Sequence, residues 1–136
     1  MANFLPAFKK TIASEGLYSN DKEDTGGETV LGLTRAADAD WGGWQLVDSM
    51  KKLDGFPSNL KGIRDKLEIM AQPYYKKKYW LPVRGDEILD QASAEDIYDM
   101  GVNSGPSQGI RLAQRAAGIK ETGKMDDDTL KEINYK

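Results

Sequence analysis

The 136 residues include neither Cys nor His, so any chemistry falls to carboxylates, hydroxyls, amides and lysines. Thiol nucleophiles, disulfides, His-based triads and the usual zinc ligands are removed together. The acids concentrate between Glu15 and Thr34, a stretch that packs five acids, four glycines and three threonines between two apolar segments. Its first acid stands apart. Phe8, Ile12 and Glu15 are spaced by four and three, so a helix would carry Glu15 at the end of a core-facing stripe. Burial at the edge of a core disfavours the charged carboxylate and raises its pKa, and a carboxyl group still protonated near neutral pH can act as a general acid. The bland alternative is a last helical turn whose Glu15 faces water. Gly16 and the polar, Gly-rich loop beyond it favour the chemical reading, because glycine permits a sharp exit from the helix and close approach of backbone to a ligand.

Asp21, Asp24 and Glu28 are the candidate second carboxylates. Asp24 is preferred, since it lies just before Gly26 and Gly27, where pliant backbone can bring a short side chain under a ring. Glu28 falls inside an expected hairpin and suits holding the loop through hydrogen bonds, so it stands in reserve as a catalytic group.

The elements that must position these residues read as mainly helical. Asn3 can cap a first helix, Pro6 fits its opening turn, and Phe4, Phe8 and Ile12 give its apolar stripe, with an end expected near Gly16. Glycines 26, 27 and 32 and the alternation of Thr29, Val30 and Leu31 predict a loop with a short hairpin, so strand content should be small. Thr34 can cap a short helix through Asp40, and Trp44 to Leu53 forms the next helical pattern. After a turn at Gly55, Pro57, Ser58 and Asn59, the steps of three and four from Leu60 through Ile63, Leu67 and Met70 to Tyr74 predict the best helix, with Pro73 kinking or ending it. Further helices are expected around Ala94 to Gly101, from Gly109 to Ala117, and from Asp126 to Asn134.

A net charge of −3, from 19 basic and 22 acidic residues, argues against a dedicated nucleic-acid binder. The apolar runs are too short for a transmembrane helix, and the N-terminus has no basic segment followed by an apolar one of signal-peptide length.

Asp96, Asp99 and Asn103 share one helix face, ordinarily a solvated one, and Asn103 equally suits a helix C-terminus because Asn tolerates left-handed backbone. Tyr18, Trp41, Trp44, Tyr79 and Trp80 could stack on sugar rings, although large aromatics near helix ends more often complete a core. The run from Lys76 to Lys78 reads as a solvated face able to meet acidic groups.

These residues fall into a recognisable pattern. Glu15-Gly16-x-Tyr18 followed by Asn20-Asp21, then Asp24-x-Gly26-Gly27-Glu28-Thr29-x-x-Gly32-Leu33-Thr34, resembles the opening motif of glycoside hydrolase family 108, the phage and prophage N-acetylmuramidases also labelled secretion activators. The likeness continues through Tyr79-Trp80-x-Pro82, Gly85-Asp86 and Asp99-x-x-Val102-Asn103-x-Gly105-Pro106, the last being similar to the start of that family's peptidoglycan-binding region. Leu17 and Thr25 depart from the motif.

The resemblance implies a mainly α, lysozyme-like fold with a small β-hairpin after the first helix. It implies a muramidase-like catalytic region over residues 1–92 and a peptidoglycan-binding-like helical region over 93–136, packed as one unit. Glu15 would be the catalytic acid, with Asp24 stabilising the oxocarbenium-like transition state or positioning water, and Glu28 in reserve. Tyr18, Thr29, Thr34, Trp80, Asp99 and Asn103 would contact substrate. No metal or organic cofactor is required. The substrate would be bacterial cell-wall peptidoglycan, reached in the periplasm or cell wall after cytoplasmic synthesis without a signal peptide, through a holin-like membrane partner. A wall-binding or secretion-accessory protein that keeps the fold without turnover is the alternative, with Leu17 crowding the loop.

Overall fold

The computed structural model describes residues 1–20 and 27–135. Among them are six α-helices and one three-stranded antiparallel sheet, the mainly α architecture with a small sheet after the first helix that the resemblance implies. The chain forms two compact units, residues 11–74 and residues 1–10 together with 75–136.

The end of α1 (Phe4–Ser14) opens the unit of residues 11–74 and leads to the sheet of β1 (Tyr18–Asn20), β2 (Glu28–Val30) and β3 (Leu33–Thr34), in the order β1-β2-β3. The register pairs Tyr18 with Val30, Ser19 with Thr29 and Asn20 with Glu28, then Thr29 with Thr34 and Val30 with Leu33. Only Leu31 and Gly32 join β2 to β3, at φ 50° and 83°, and a two-residue hairpin turn of this kind needs positive φ at both positions. Gly32 adopts that freely. Leu31 is strained by about 1–2 kcal/mol, but its side chain is fully buried, and burying a Leu stabilises by about 1.5–3 kcal/mol, which offsets the strain.

The helix expected from Thr34 to Asp40 does not form. Thr34 does supply the cap, its Oγ1 accepting from Ala37 N at 3.1 Å, and the Asp38 N–H reaches the Thr34 carbonyl at 2.8 Å. One turn is all that follows, because the Asp38 carbonyl instead accepts from the Trp41 N–H and from the Trp44 indole at 2.8 Å. α2 (Gly43–Lys51) starts one residue before the expected Trp44 and stops short of Leu53, which is exposed. The long helix expected from Leu60 is split: Ser58–Ile63 is a 3-10 segment and α3 (Arg64–Tyr75) the α-helix proper. Pro73 does not end it. Pro73 is exposed, and its missing N–H frees the carbonyl of Ile69, itself exposed; α3 continues through Tyr75 into a π-helical turn, Lys76–Trp80.

The other unit is built on rings and glycines. Phe4, Phe8, Tyr75, Trp80 and Tyr98 form a chain of ring contacts with centroids 5.5–5.8 Å apart. α4 (Gln91–Ser104) begins with Asp90 accepting from Ser93 N and packs on α5 (Pro106–Ala117). At their crossing the backbones nearly touch: a Cβ on Gly109 would lie 2.8 Å from the Ile97 carbonyl oxygen. Gly118 closes α5 at φ 74°, the left-handed residue that ends helices. Fully buried Gln114 then ties down the segment leading to α6 (Asp127–Tyr135), accepting from Thr122 N and Gly123 N and donating among Thr122, Lys124 and Thr129 oxygens.

Candidate active site

Glu15 is the first residue beyond α1, not part of its last turn as the spacing predicts. The helix closes at Ser14, whose hydroxyl donates back to the Thr11 carbonyl at 2.8 Å, and the Glu15 N–H reaches the Ile12 carbonyl at 3.2 Å. Phe8 and Ile12 below it are buried, and Glu15 itself is half-buried at the exit. Two residues on, the Leu17 carbonyl accepts from Leu31 N at 3.1 Å, so the segment carrying Glu15 is stitched to the sheet at once. Glu15 thus stands at a helix exit, partly shielded from water and following a buried helical stripe.

Glu28 lies in the opposite situation. It is 8% exposed, and both oxygens are engaged: Oε1 by Arg35 through Nε at 3.1 Å and the second guanidinium nitrogen at 3.0 Å, Oε2 by the Tyr18 hydroxyl at 2.6 Å and Lys51 Nζ at 2.7 Å. Arg35 also pairs with Asp48, Lys51 lies 3.3 Å from the same Asp48 oxygen, and the guanidinium stacks 4.4 Å from the centre of a Trp44 ring. Burial pushes the Glu28 carboxyl up. Hydrogen bonds from Lys51, Tyr18 and Arg35, with the Lys51 charge, outweigh it and hold Glu28 below the usual carboxylate range. Hydrogen bonding from Arg35 likewise lowers Asp48 despite some opposing burial. Tyr18 responds in turn: burial first, then its bond to Glu28 and that residue's charge, push its hydroxyl up to about 12. Glu28, the reserve catalytic carboxylate, is thus engaged as an anchor, with both of its oxygens taken by Arg35, Lys51 and Tyr18.

Asp24, the preferred second carboxylate, lies outside the described residues, as does Asp21. Thr29 is half-buried in the middle strand and its hydroxyl donates to the Gly27 carbonyl at 3.3 Å, while Thr34 is engaged in the one-turn cap. Trp80, Asp99 and Asn103 belong to the other unit. Trp80 is corrected to a core residue: it is fully buried, its indole donates to Asp86 Oδ1 at 2.9 Å, and a Cβ on Gly85 would fall 2.2 Å from its ring. That contact also explains the Trp80 to Asp86 part of the motif. Asp99 and Asn103 are exposed on the last turns of α4, with Asn103 Nδ2 3.4 Å from Asp99 Oδ2.

Four residues escaped the sequence reading: Arg35, Asp48 and Lys51 of this network, and Phe56, whose ring meets Tyr18 with centroids 5.0 Å apart. Arg35 directly follows the motif's last threonine, and Asp48 and Lys51 show the three-residue spacing of an ion pair on one helix face. Nothing in the spacing links any of them to Glu28 or Tyr18. Among the described residues, no group of three or more His, Cys, Asp or Glu could hold a metal ion, and no helix is long and apolar enough to cross a membrane.

The family described as glycosyl hydrolase 108 matches the chain over residues 8–105, a span that takes in Glu15, the sheet and α2 to α4. Among solved structures, SagA of Brucella abortus superposes with a TM-score of 0.70 at 23% identity, covering 98% of this chain and 69% of that one, a likeness of fold. No curated protein gives a significant match.

Proposed function

Because the chain belongs to the glycosyl hydrolase 108 family, and so to the glycoside hydrolases, we propose that it is a peptidoglycan hydrolase of the N-acetylmuramidase type, with Glu15 as the general acid. The observation that carries the reading is the position of Glu15, half-buried at the mouth of a buried helical stripe and three residues before Tyr18, within the part of the chain that matches the family. The substrate is the glycan strand of bacterial peptidoglycan, cut after N-acetylmuramic acid.

Glu15 protonates the glycosidic oxygen as the bond to the anomeric carbon breaks. Asp24 stabilises the positive charge that develops on the ring or positions the attacking water. Glu28, held ionised by Arg35 and Lys51, keeps Tyr18 and the β1-β2 pairing fixed beside that chemistry. Residues 93–136 would contribute wall binding, and the protein would reach the periplasm or wall with a holin-like membrane partner.

Turbidity of purified cell walls tests the assignment. Glu15→Gln should slow lysis by at least about 10²-fold, the usual lower scale for removing a general acid, with the circular dichroism spectrum unchanged. Lysis near the wild-type rate by that variant would refute it.

A further inference from the structure

We propose that Phe56 and Tyr18 form an aromatic corner that receives the apolar face of a sugar ring, an inference that rests on the glycosidase reading above. The residues 11–74 offer few rings for that purpose. Trp41 and Trp44 are 4% and 3% exposed, and their indole N–H groups donate to the carbonyls of Met70 and Asp38. Tyr74 has its hydroxyl placed against both Asp38, at 3.0 Å, and Asp40, at 2.8 Å. Tyr18 and Phe56 are both half-buried and meet each other, with centroids 5.0 Å apart and planes at 78°.

Two rings meeting edge to face make an angle, and this one is tied to the charged cluster around Glu28. The Tyr18 hydroxyl donates to Glu28, and Lys51, bonded to the same carboxylate, sits 5.9 Å from the centre of the Phe56 ring. Glu28, Asp48, Arg35 and Lys51 contribute two negative and two positive charges, so the cluster tied to the corner is electrically balanced. Such a surface suits an uncharged ring with axial C–H groups, for which the attraction is dispersion and contact with the π face. Position along the chain agrees: Tyr18 is three residues from Glu15, so their Cα atoms lie within about 11 Å of each other. A sugar held at the corner is therefore within a few ring lengths of the proposed acid, and Phe56 becomes a residue that sets substrate affinity.

The test uses solubilised peptidoglycan strands in two measurements, steady-state kinetics and equilibrium binding to the Glu15→Gln protein. Phe56→Ala should raise KM about 5- to 10-fold with kcat changed less than about 2-fold, Phe56→Tyr should restore KM, and binding should weaken by the same factor in the Glu15→Gln background. Salt should leave the Phe56 contribution unchanged. Unaltered KM and binding in a folded Phe56→Ala protein would overturn the corner while leaving the role of Glu15 standing. Should that variant unfold, Phe56→Leu, which keeps apolar volume and removes the ring, decides in its place. If the wild type turns over no strands, the binding measurement decides alone: weaker binding by Phe56→Leu sustains the corner, and equal binding or none overturns it.

Discussion

Glu15 and Glu28 are the same residue type in different environments. Glu15 emerges half-buried at a helix exit, whereas Glu28 is buried among two cations and a phenol that leave it ionised. Removing its charge should therefore be felt in stability. Glu28→Gln keeps the shape but loses charge-assisted bonds to Arg35 and Lys51, and thermal or urea unfolding should show a loss on the order of 1.5–3 kcal/mol. Asp24→Asn, by contrast, should lower wall lysis with little change in thermal midpoint. The opposite pattern, with Asp24→Asn lysing walls normally and Glu28→Gln inactive but equally stable, would exchange the two assignments.

Several close approaches between elements fall at glycines. α4 and α5 cross where Gly109 faces the Ile97 carbonyl and Gly101, and its absent Cβ is what lets the backbones approach. Gly109→Ala should destabilise by about 1–3 kcal/mol, the usual scale of overpacking, since the clashing atoms are backbone and cannot swing aside. Denaturant unfolding measures this directly, and an unchanged midpoint would mean that the helices can separate without loss. Gly43 and Gly85 work against side chains in the same way, each lying flat on an indole, Trp41 and Trp80 respectively. In the hairpin the logic differs, because Leu31 tolerates its left-handed backbone for the sake of a fully buried side chain.

At the scale of the whole molecule, acid should be the weak side of its stability. Glu28, Asp48, Glu87, Asp90, Glu95, Glu121 and Asp126 are all held below the usual carboxylate range in the folded protein. A carboxyl whose folded pKa is depressed binds more protons when unfolded, so its contribution is complete above the unfolded value, about 4, and disappears as pH falls through the folded one. Thermal midpoints should accordingly hold from pH 7 to about pH 5 and drop below about pH 4. Glu28, the most buried of the seven, should dominate. Glu28→Gln should start lower at neutral pH and descend less steeply, and parallel curves for the two proteins would show that the acid sensitivity arises elsewhere.

The sequence by itself determined what is local or periodic. The absence of Cys and His left carboxylates, hydroxyls, amides and lysines for any chemistry, and the four-and-three spacing of Phe8, Ile12 and Glu15 put Glu15 next to a buried stripe, although the helix itself ends one residue earlier. Glycine and Pro signals located α5, its left-handed stop at Gly118 and the small sheet, because caps, turns and amphipathic faces depend on residues a few positions apart. Only the tertiary structure decided which partners each side chain meets. It put Trp80 inside a ring cluster, cut the Thr34 turn short by giving the Asp38 carbonyl to two tryptophans, and carried α3 past Pro73. It also gathered Arg35, Asp48 and Lys51 around Glu28 and set Phe56 against Tyr18. Such meetings join residues distant in sequence, and their energies come from burial and paired charge in three dimensions, which linear spacing does not encode.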